Sequence, residues 1–371
     1  MTFLPKDFIK ICLDSPSLDM VADIEDPFEA CADFLRQKSI QNFYQSIHKD
    51  TKKANQALAE IARLIPDMHP YRAAPIALMC GSLIENKANP LLIFPACADL
   101  MTRMLTAISP YWAEYTDQDE IDTIKNEEQD ERAQQQQKLD DYIKTAEKIE
   151  ALPENQFLEL KSYQHAIDIL VLPMMAMLMR DAQCRTLFTN NKALAAVLSN
   201  PLALDNTTFP SEQLYYLVQA SQLYYGEFIV ILPSTQTGFV AHAHAINNVF
   251  HALTLLQDLM AKHAKELDIG AIDPNLKYVQ KATQTRYNWY NAQAYANGKL
   301  VDKIALAWGE SPLGQMPQKQ KHIVLYAEET TKVGPKRNWD EGFSAPIHSA
   351  QNPKISFVRV LTKQEVETYL Q

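Results

Sequence analysis

Glycine is distributed unevenly along this 371-residue chain. Gly81 precedes Gly226, and the remaining eight of the nine glycines lie from Gly226 onward. Glycine favours tight turns and destabilises the interior of helices. The sequence therefore predicts an α+β fold, in which a mainly α-helical N-terminal two-thirds is followed by a C-terminal antiparallel β-sheet module with one long helix.

A division of the chain near residue 225 follows from the same asymmetry. We expect a helical region over residues 1–225, with an acidic segment at about 114–150 inside it, and a strand-rich α+β region over residues 226–371. The length and the hydrophobic content of 47% are sufficient for a large core. The sequence leaves open whether the two regions form one compact unit.

The stretch from Gly226 to Ala264 is where the pattern first changes from helical to extended. Residues 228–232 are apolar and rich in β-branched side chains, residues 233–238 (PSTQTG) are typical of a turn, and residues 239–246 alternate, so we predict a hairpin. A helix capped by Asn247 or Asn248 should follow, over Val249 to Leu267. The second strand should carry two sets of side chains on opposite faces: Phe239, Ala241, Ala243 and Ala245 on one, and Val240, His242, His244 and Ile246 on the other.

The histidines of this stretch form a candidate metal site. His242 and His244 lie two residues apart on a strand, so both imidazoles should point the same way. His251, in the first turn of the next helix, could add a third nitrogen ligand to a zinc-like site. The alternative, which we favour, is that the two strand histidines line a half-exposed face of the sheet and hydrogen-bond to their neighbours.

The acidic segment is a candidate surface for binding a partner. The chain has a formal charge of −10, and half of the residues between Glu114 and Glu131 are acidic. Such a run is typical of a solvated helix or linker, and its functional interpretation is a surface that binds a basic protein. The same balance argues against nucleic acid as the partner. The acidic residues concerned are Glu114, Asp117, Asp119, Glu120, Asp122, Glu127, Glu128, Asp130 and Glu131.

Cysteine usage and hydropathy predict a cytoplasmic protein without a membrane anchor. The five cysteines are odd in number and none has CxxC spacing, which is typical of reduced, buried thiols. The first residues lack the apolar core of a signal peptide. The most apolar segment, Ala166 to Met179, is too short to cross a bilayer and contains Asp168 and Pro173. We expect it to be a buried core helix.

Further local patterns predict individual elements. Residues 66–75 (PDMHPYRAAP) contain three prolines and predict a loop. Residues 287–295 alternate, and Asn297-Gly298 should form a turn. Additional strands are expected over residues 303–308, 322–327 and 355–361, and Thr362 with Glu365 should open the last helix as a capping box.

The motifs of common enzymes are absent from the sequence. It has no GxGxxG after a strand, GxxxxGK[ST], HExxH, EF-hand loop, GxSxG elbow or zinc-finger spacing. We therefore favour a non-catalytic cytosolic protein-binding protein that needs no cofactor. Its most specific form is a bacterial immunity protein that neutralises a basic toxin domain. The alternative is a metal-dependent hydrolase built on His242, His244 and His251.

Overall fold

The computed structural model describes residues 3–17, 24, 26–114, 129–203, 209, 213–269, 287–302, 306, 311–329 and 353–371. The chain divides into two compact units, Met1–Ser221 and Gln222–Gln371. The first unit is helical and the second contains the sheet, so the predicted α+β fold class is confirmed.

The described helices of the first unit are α1 (Lys6–Leu13), α2 (Pro27–Leu35), α3 (Lys38–Ile47), α4 (Thr51–Leu64), α5 (Pro70–Glu85), α6 (Phe94–Ile108), α7 (Gln129–Glu150), α8 (Glu154–Arg180), α9 (Ala182–Asn190), α10 (Lys192–Leu198) and α11 (Leu214–Ser221). Side-chain caps mark where several of them begin. Asp26, Asp50, Asp181 and Asn191 accept hydrogen bonds from backbone N–H groups in the first turns of α2, α4, α9 and α10.

Helix α8 occupies the centre of the first unit. It packs against α5, α6 and α11, and it continues through Pro173. The predicted buried helix over residues 166–179 is thus confirmed as the C-terminal half of α8. By length and composition alone, α8 is also the one described helix that could cross a membrane, and 67% of its apolar window is buried within the protein.

Helix α5 corrects the loop predicted over residues 66–75. A 3-10 turn covers Ile65–Asp67, and α5 begins at Pro70 and contains Pro75. Pro70 occupies the first helical turn, where no intrahelical N–H bond is needed. The Nδ1 atom of His69 accepts the Tyr71 N–H at 3.2 Å. Burial of the helix in the core offsets the hydrogen bond that Pro75 cannot donate.

The described strands of the second unit are β1 (Tyr224–Leu232), β2 (Thr237–Ile246), β3 (Tyr287–Tyr290), β4 (Tyr295–Ala296), β5 (Lys299–Leu300), β6 (Gln318–Lys319), β7 (His322–Glu329) and β8 (Lys354–Val360). The main sheet has the order β3-β7-β1-β2-β8, with β6 paired to β7, while β4 and β5 form a separate ribbon. The sheet is mixed rather than antiparallel throughout, because β1 and β7 run parallel. The long connection between these strands allows the crossover that parallel pairing needs.

Helices cover both faces of this sheet. Helix α12 (Val249–Lys262) packs on the face that carries Phe239, Ala241 and Ala243 of β2. Helix α13 (Lys363–Leu370) packs on the opposite face, where Val240 lies. Helix α12 is the long helix predicted after the hairpin, and it ends five residues earlier than predicted.

A bulge near the end of β2 changes the predicted alternation. The register shifts where Gly226 pairs with Ala243 and Tyr224 pairs with Ile246. Ala245 adopts a φ of 55°, so it supplies the extra residue. As a result Ile246 packs with the α12 core, whereas strict alternation placed it on the face of His242.

The remaining local predictions have mixed outcomes. The strand predicted over residues 287–295 ends at Tyr290, and the strand predicted over 303–308 lies outside the described residues except for Leu306. The Asn297-Gly298 turn is confirmed by φ values of 51° and 70°. The capping box of Thr362 and Glu365 is also confirmed.

Candidate functional site

The strand histidines lie on the face of the sheet that carries Val240. His242 is exposed and His244 is half-buried. His242 pairs with Glu227 of β1 and with Ser356 of β8, and His244 pairs with Lys354 of β8. Both imidazoles therefore lie on a partly open, polar area of the sheet.

The structure does not bring His251 to this pair. Helix α12, which carries His251, packs on the other face of the sheet, and His251 is fully buried there. The Nδ1 atom of His251 accepts a hydrogen bond from the Asn247 backbone N–H at 3.5 Å. The backbone N–H of His251 donates to Asn248 Oδ1 at 2.8 Å. His251 thus helps to close the first turn of α12.

The electrostatic surroundings of His244 are positive. Burial lowers the pKa of His244, and Lys354 and His242 lower it further. The ring of Tyr225 contacts the imidazole edge to face, with the ring centroids 5.1 Å apart. In the part of the chain that the structure describes, no group of three or more His, Cys, Asp or Glu side chains is arranged to hold a metal ion.

The predicted acidic surface lies largely outside the described residues. Asp117, Asp119, Glu120, Asp122, Glu127 and Glu128 are outside them, and Asp130 and Glu131 belong to the first turn of α7, where only the backbone is described. Glu114 is described, and it forms an ion pair with Lys138 of α7 at 2.8 Å. This pair ties α7 to the preceding chain.

Helix α7 is attached to the unit along one side. Leu139 is 7% exposed. The Lys148 ammonium donates to the Pro110 carbonyl at 2.9 Å and lies 4.5 Å from the centre of the Tyr111 ring. Leu139 is the one buried side chain among those described in α7, and most of the others are exposed.

Beside Leu139 runs an exposed row of α7 side chains that we call the α7 ridge: Gln136, Asp140, Ile143, Glu147 and Glu150. Their spacing of three and four residues places them in one row, which extends about 21 Å along the helix. Ile143, at the middle of this row, is 46% exposed. The Gln136 amide donates to Asp140 Oδ1 at 2.9 Å and orients that carboxylate.

The α7 ridge is not among the surfaces predicted from the sequence. The heptad spacing of residues 136, 140, 143, 147 and 150 was the available signal. That spacing alone does not show that the row is exposed, because the buried Leu139 lies three residues after Gln136 and four residues before Ile143.

Formal charge is divided unequally between the two units. The helical unit has 32 acidic and 20 basic side chains, hence −12, and the second unit has 13 acidic and 15 basic side chains, hence +2. Residues 114–150 alone have 13 acidic and 5 basic side chains, hence −8. Most of the negative charge of the protein therefore belongs to the segment that contains α7.

An open groove of about 620 Å³ runs along α3 and is a second candidate site. Its lining consists of Gln41, Tyr44, Gln45, His48 and Lys49. The Tyr44 and His48 rings stack with centroids 5.2 Å apart, and the Tyr44 hydroxyl lies 2.8 Å from Ser82 Oγ. Because this lining belongs to a single helix and its C-cap, it does not enclose a ligand from two sides.

The five cysteines are all buried and none forms a disulfide. Burial raises the pKa of the Cys31 thiol to about 11 and that of Cys12, Cys97 and Cys184 to about 12. Burial also raises the pKa of Cys80 well above its usual range. These thiols stay protonated at neutral pH, so they are poor nucleophiles and poor metal ligands.

Comparison of the chain with models of protein families, with characterised proteins and with solved structures gives no match.

Proposed function

We propose that this is a cytoplasmic protein-binding protein that acts by binding alone, and that its α7 ridge binds a basic protein partner. The single observation that supports this proposal is the arrangement of the ridge, in which three exposed carboxylates flank the exposed Ile143 on a helix that Lys138, Leu139 and Lys148 attach to the unit. An apolar anchor surrounded by charge is a common plan for an interface.

The charges of the ridge and its anchor have different expected roles. Asp140, Glu147 and Glu150 lie on the unit that carries −12 of formal charge, so they should attract a basic surface and raise the rate of association. Ile143 should lose its contact with water on binding and lengthen the lifetime of the complex. The most specific form of the proposal is a bacterial immunity protein that covers the basic active site of a toxin domain.

Neutralising the ridge tests this proposal. The variant Asp140→Asn/Glu147→Gln/Glu150→Gln should capture about tenfold less of the basic partner from source-cell lysate than the wild type, because each exposed charge pair contributes a few tenths to about 1 kcal/mol. The captured protein is identified and quantified by mass spectrometry at low and at high salt. Capture by the wild type should weaken as the salt concentration rises.

A matched control separates the ridge from net charge. The variant Glu29→Gln/Asp67→Asn/Asp99→Asn removes three exposed carboxylates from other elements of the same unit and changes the net charge equally. It should capture the partner as the wild type does. Equal loss in both triple variants, or full capture by the ridge variant, would contradict binding through α7.

A further inference from the structure

Strand β8 forms an edge of the main sheet. Among the described strands it pairs with β2 alone. The Leu361 N–H donates to the Gly238 carbonyl of β2 at 2.8 Å. Because the backbone groups of successive strand residues point in alternate directions, those of Val360 face away from β2. On that outer edge the described residues make one hydrogen bond to the β8 backbone, from the Arg359 guanidinium to the Val360 carbonyl at 3.3 Å. As far as the described residues go, the rest of the edge is left to pair with another strand.

A bulge limits the length of this edge. Val240 pairs with Arg359 and Ala241 pairs with Phe357, so Val358 is the inserted residue. Bulges at sheet edges usually discourage pairing with other chains. Here the bulge leaves Lys354 to Phe357 in regular register with β2, which is enough for a short added strand. We call these four residues the β8 edge.

The two faces of the β8 edge differ in chemistry. Ile355 and Phe357 are half-buried and pack on the core beneath α12. Phe357 stacks on His263, with the ring centroids 4.2 Å apart. Lys354 and Ser356 point to the opposite face and are exposed. A strand added here would therefore meet apolar side chains on one face and an ammonium group on the other.

The polar face carries charges of both signs, and Lys354 is the basic group of the β8 edge. Lys354 lies opposite His244, and the two groups are close enough for Lys354 to lower the pKa of that imidazole. His242 adds to this effect, and Glu227, opposite His242 on β1, is an acidic group on the same face. Arg359, the second cation of β8, is held by Glu365 in a two-bond ion pair at 2.7 and 3.0 Å. Among the described residues, Lys354 is therefore the cation on the β8 edge itself.

We propose that the β8 edge binds an extended peptide segment in which acidic side chains alternate with apolar ones, and that the segment joins the sheet as a further strand. Its backbone would pair with the outer groups of β8. Its apolar side chains would extend the core beside Ile355 and Phe357, and its acidic side chains would face Lys354. This surface is independent of the α7 ridge, since it belongs to the other unit and recognises the opposite charge.

A charge exchange in the full-length protein tests the proposal. The probe is a short synthetic peptide in which Glu alternates with Val, and binding is followed by fluorescence anisotropy. Lys354→Glu should weaken binding of this peptide about fivefold, because one exposed pair is replaced by repulsion. The same variant should strengthen binding of the matching Lys-Val peptide. Lys363→Glu, an exposed site of equal charge change on α13, should alter neither.

Two more measurements identify the mode of binding. A Glu-Val peptide that is N-methylated at alternate residues keeps its side chains but cannot pair along one edge, so it should lose binding. Bound carboxylates should raise the pKa of His244, measured by NMR titration. Equal binding of the N-methylated peptide, an unchanged His244 titration, or equal effects of the Lys354 and Lys363 variants would overturn the proposal. So would a dimer in sedimentation that Val358→Asp dissociates, because a second copy would then occupy the edge.

Discussion

Gly81 shows how one residue determines the packing of the helical unit. It is the one glycine in the predicted helical region, and it lies inside α5, where glycine costs about 1 kcal/mol relative to alanine. A Cβ at this position would lie 2.9 Å from Pro173 Cβ and 3.1 Å from Pro173 Cα. Glycine therefore allows the close approach of α5 to α8 at the point where α8 carries a proline.

Replacing this glycine should destabilise the unit despite the gain in helix propensity. Gly81→Ala is expected to lower the free energy of unfolding by about 1–3 kcal/mol, because the new Cβ overlaps with the Cβ and Cα atoms of Pro173, whose ring cannot rotate away. Urea unfolding followed by circular dichroism measures the change. The double variant Gly81→Ala/Pro173→Gly places a Cβ on α5 and removes the one on α8. It should therefore recover part of the unfolding free energy that the two single variants lose. An alanine variant as stable as the wild type would contradict this account of the contact.

At the scale of elements, α13 shows how a short helix is stabilised at both ends. Thr362 and Glu365 satisfy its first turn through the capping box. At its other end, the Tyr369 carbonyl accepts from the Tyr326 hydroxyl (2.6 Å) and the Leu370 carbonyl accepts from the Gly298 N–H (2.6 Å). The carbonyl of Gln371, just after the helix, accepts from the Asn297 N–H (2.8 Å). Eight residues are too few for a stable isolated helix, so these contacts and the burial of Val366 and Tyr369 hold it in place.

The ion pair at the start of α13 should make the stability of the second unit pH-dependent. Hydrogen bonds from Arg359 and then from the Thr362 backbone lower the pKa of Glu365 from 4.5 to about 2. Ionised Glu365 therefore stabilises the fold above about pH 4.5, and this contribution is lost as the pH falls toward 2. Glu365→Gln should lower the thermal unfolding midpoint at neutral pH, and its difference from the wild type should shrink over that acidic interval.

A second glutamate on the same helix provides the control for this measurement. Glu367 is exposed and lies outside the capping box, so Glu367→Gln should leave the midpoint close to that of the wild type across the pH range. A Glu365→Gln variant whose difference from the wild type is the same at every pH would show that the ion pair does not stabilise α13.

The sequence predicts the elements where the chemistry is local and fails where distant contacts decide. The Asn297-Gly298 turn and the capping box depend on neighbouring residues, and both are confirmed. Helix α5 begins within a segment of three prolines because burial outweighs the lost hydrogen bond, which composition cannot reveal. The parallel pairing of β1 with β7 and the bulge at Ala245 depend on strands distant in sequence. For the same reason the sequence could group His251 with His242 and His244, although they lie on opposite sides of the sheet.

At the scale of the whole molecule, charge is separated along the chain. The helical unit carries −12 and the second unit +2, and the segment of residues 114–150 accounts for −8. Of the acidic residues predicted to form a surface in this segment, Glu114 alone has a described side chain, so the acidic surface over residues 114–131 stays a prediction. The two proposed surfaces have opposite preferences, since the α7 ridge favours a basic partner and the β8 edge favours an acidic, extended one.

Site-specific photo-crosslinking in the source cells tests the central claim most directly. A photoreactive amino acid would replace Ile143 in the middle of the α7 ridge or, as the control, Leu187 of α9, which is 45% exposed in the same unit. Position 143 should give one discrete adduct with a basic protein, and position 187 should give none, because binding covers the ridge alone. The absence of an adduct at position 143, or the same adduct at both positions, would contradict a partner-binding role for α7.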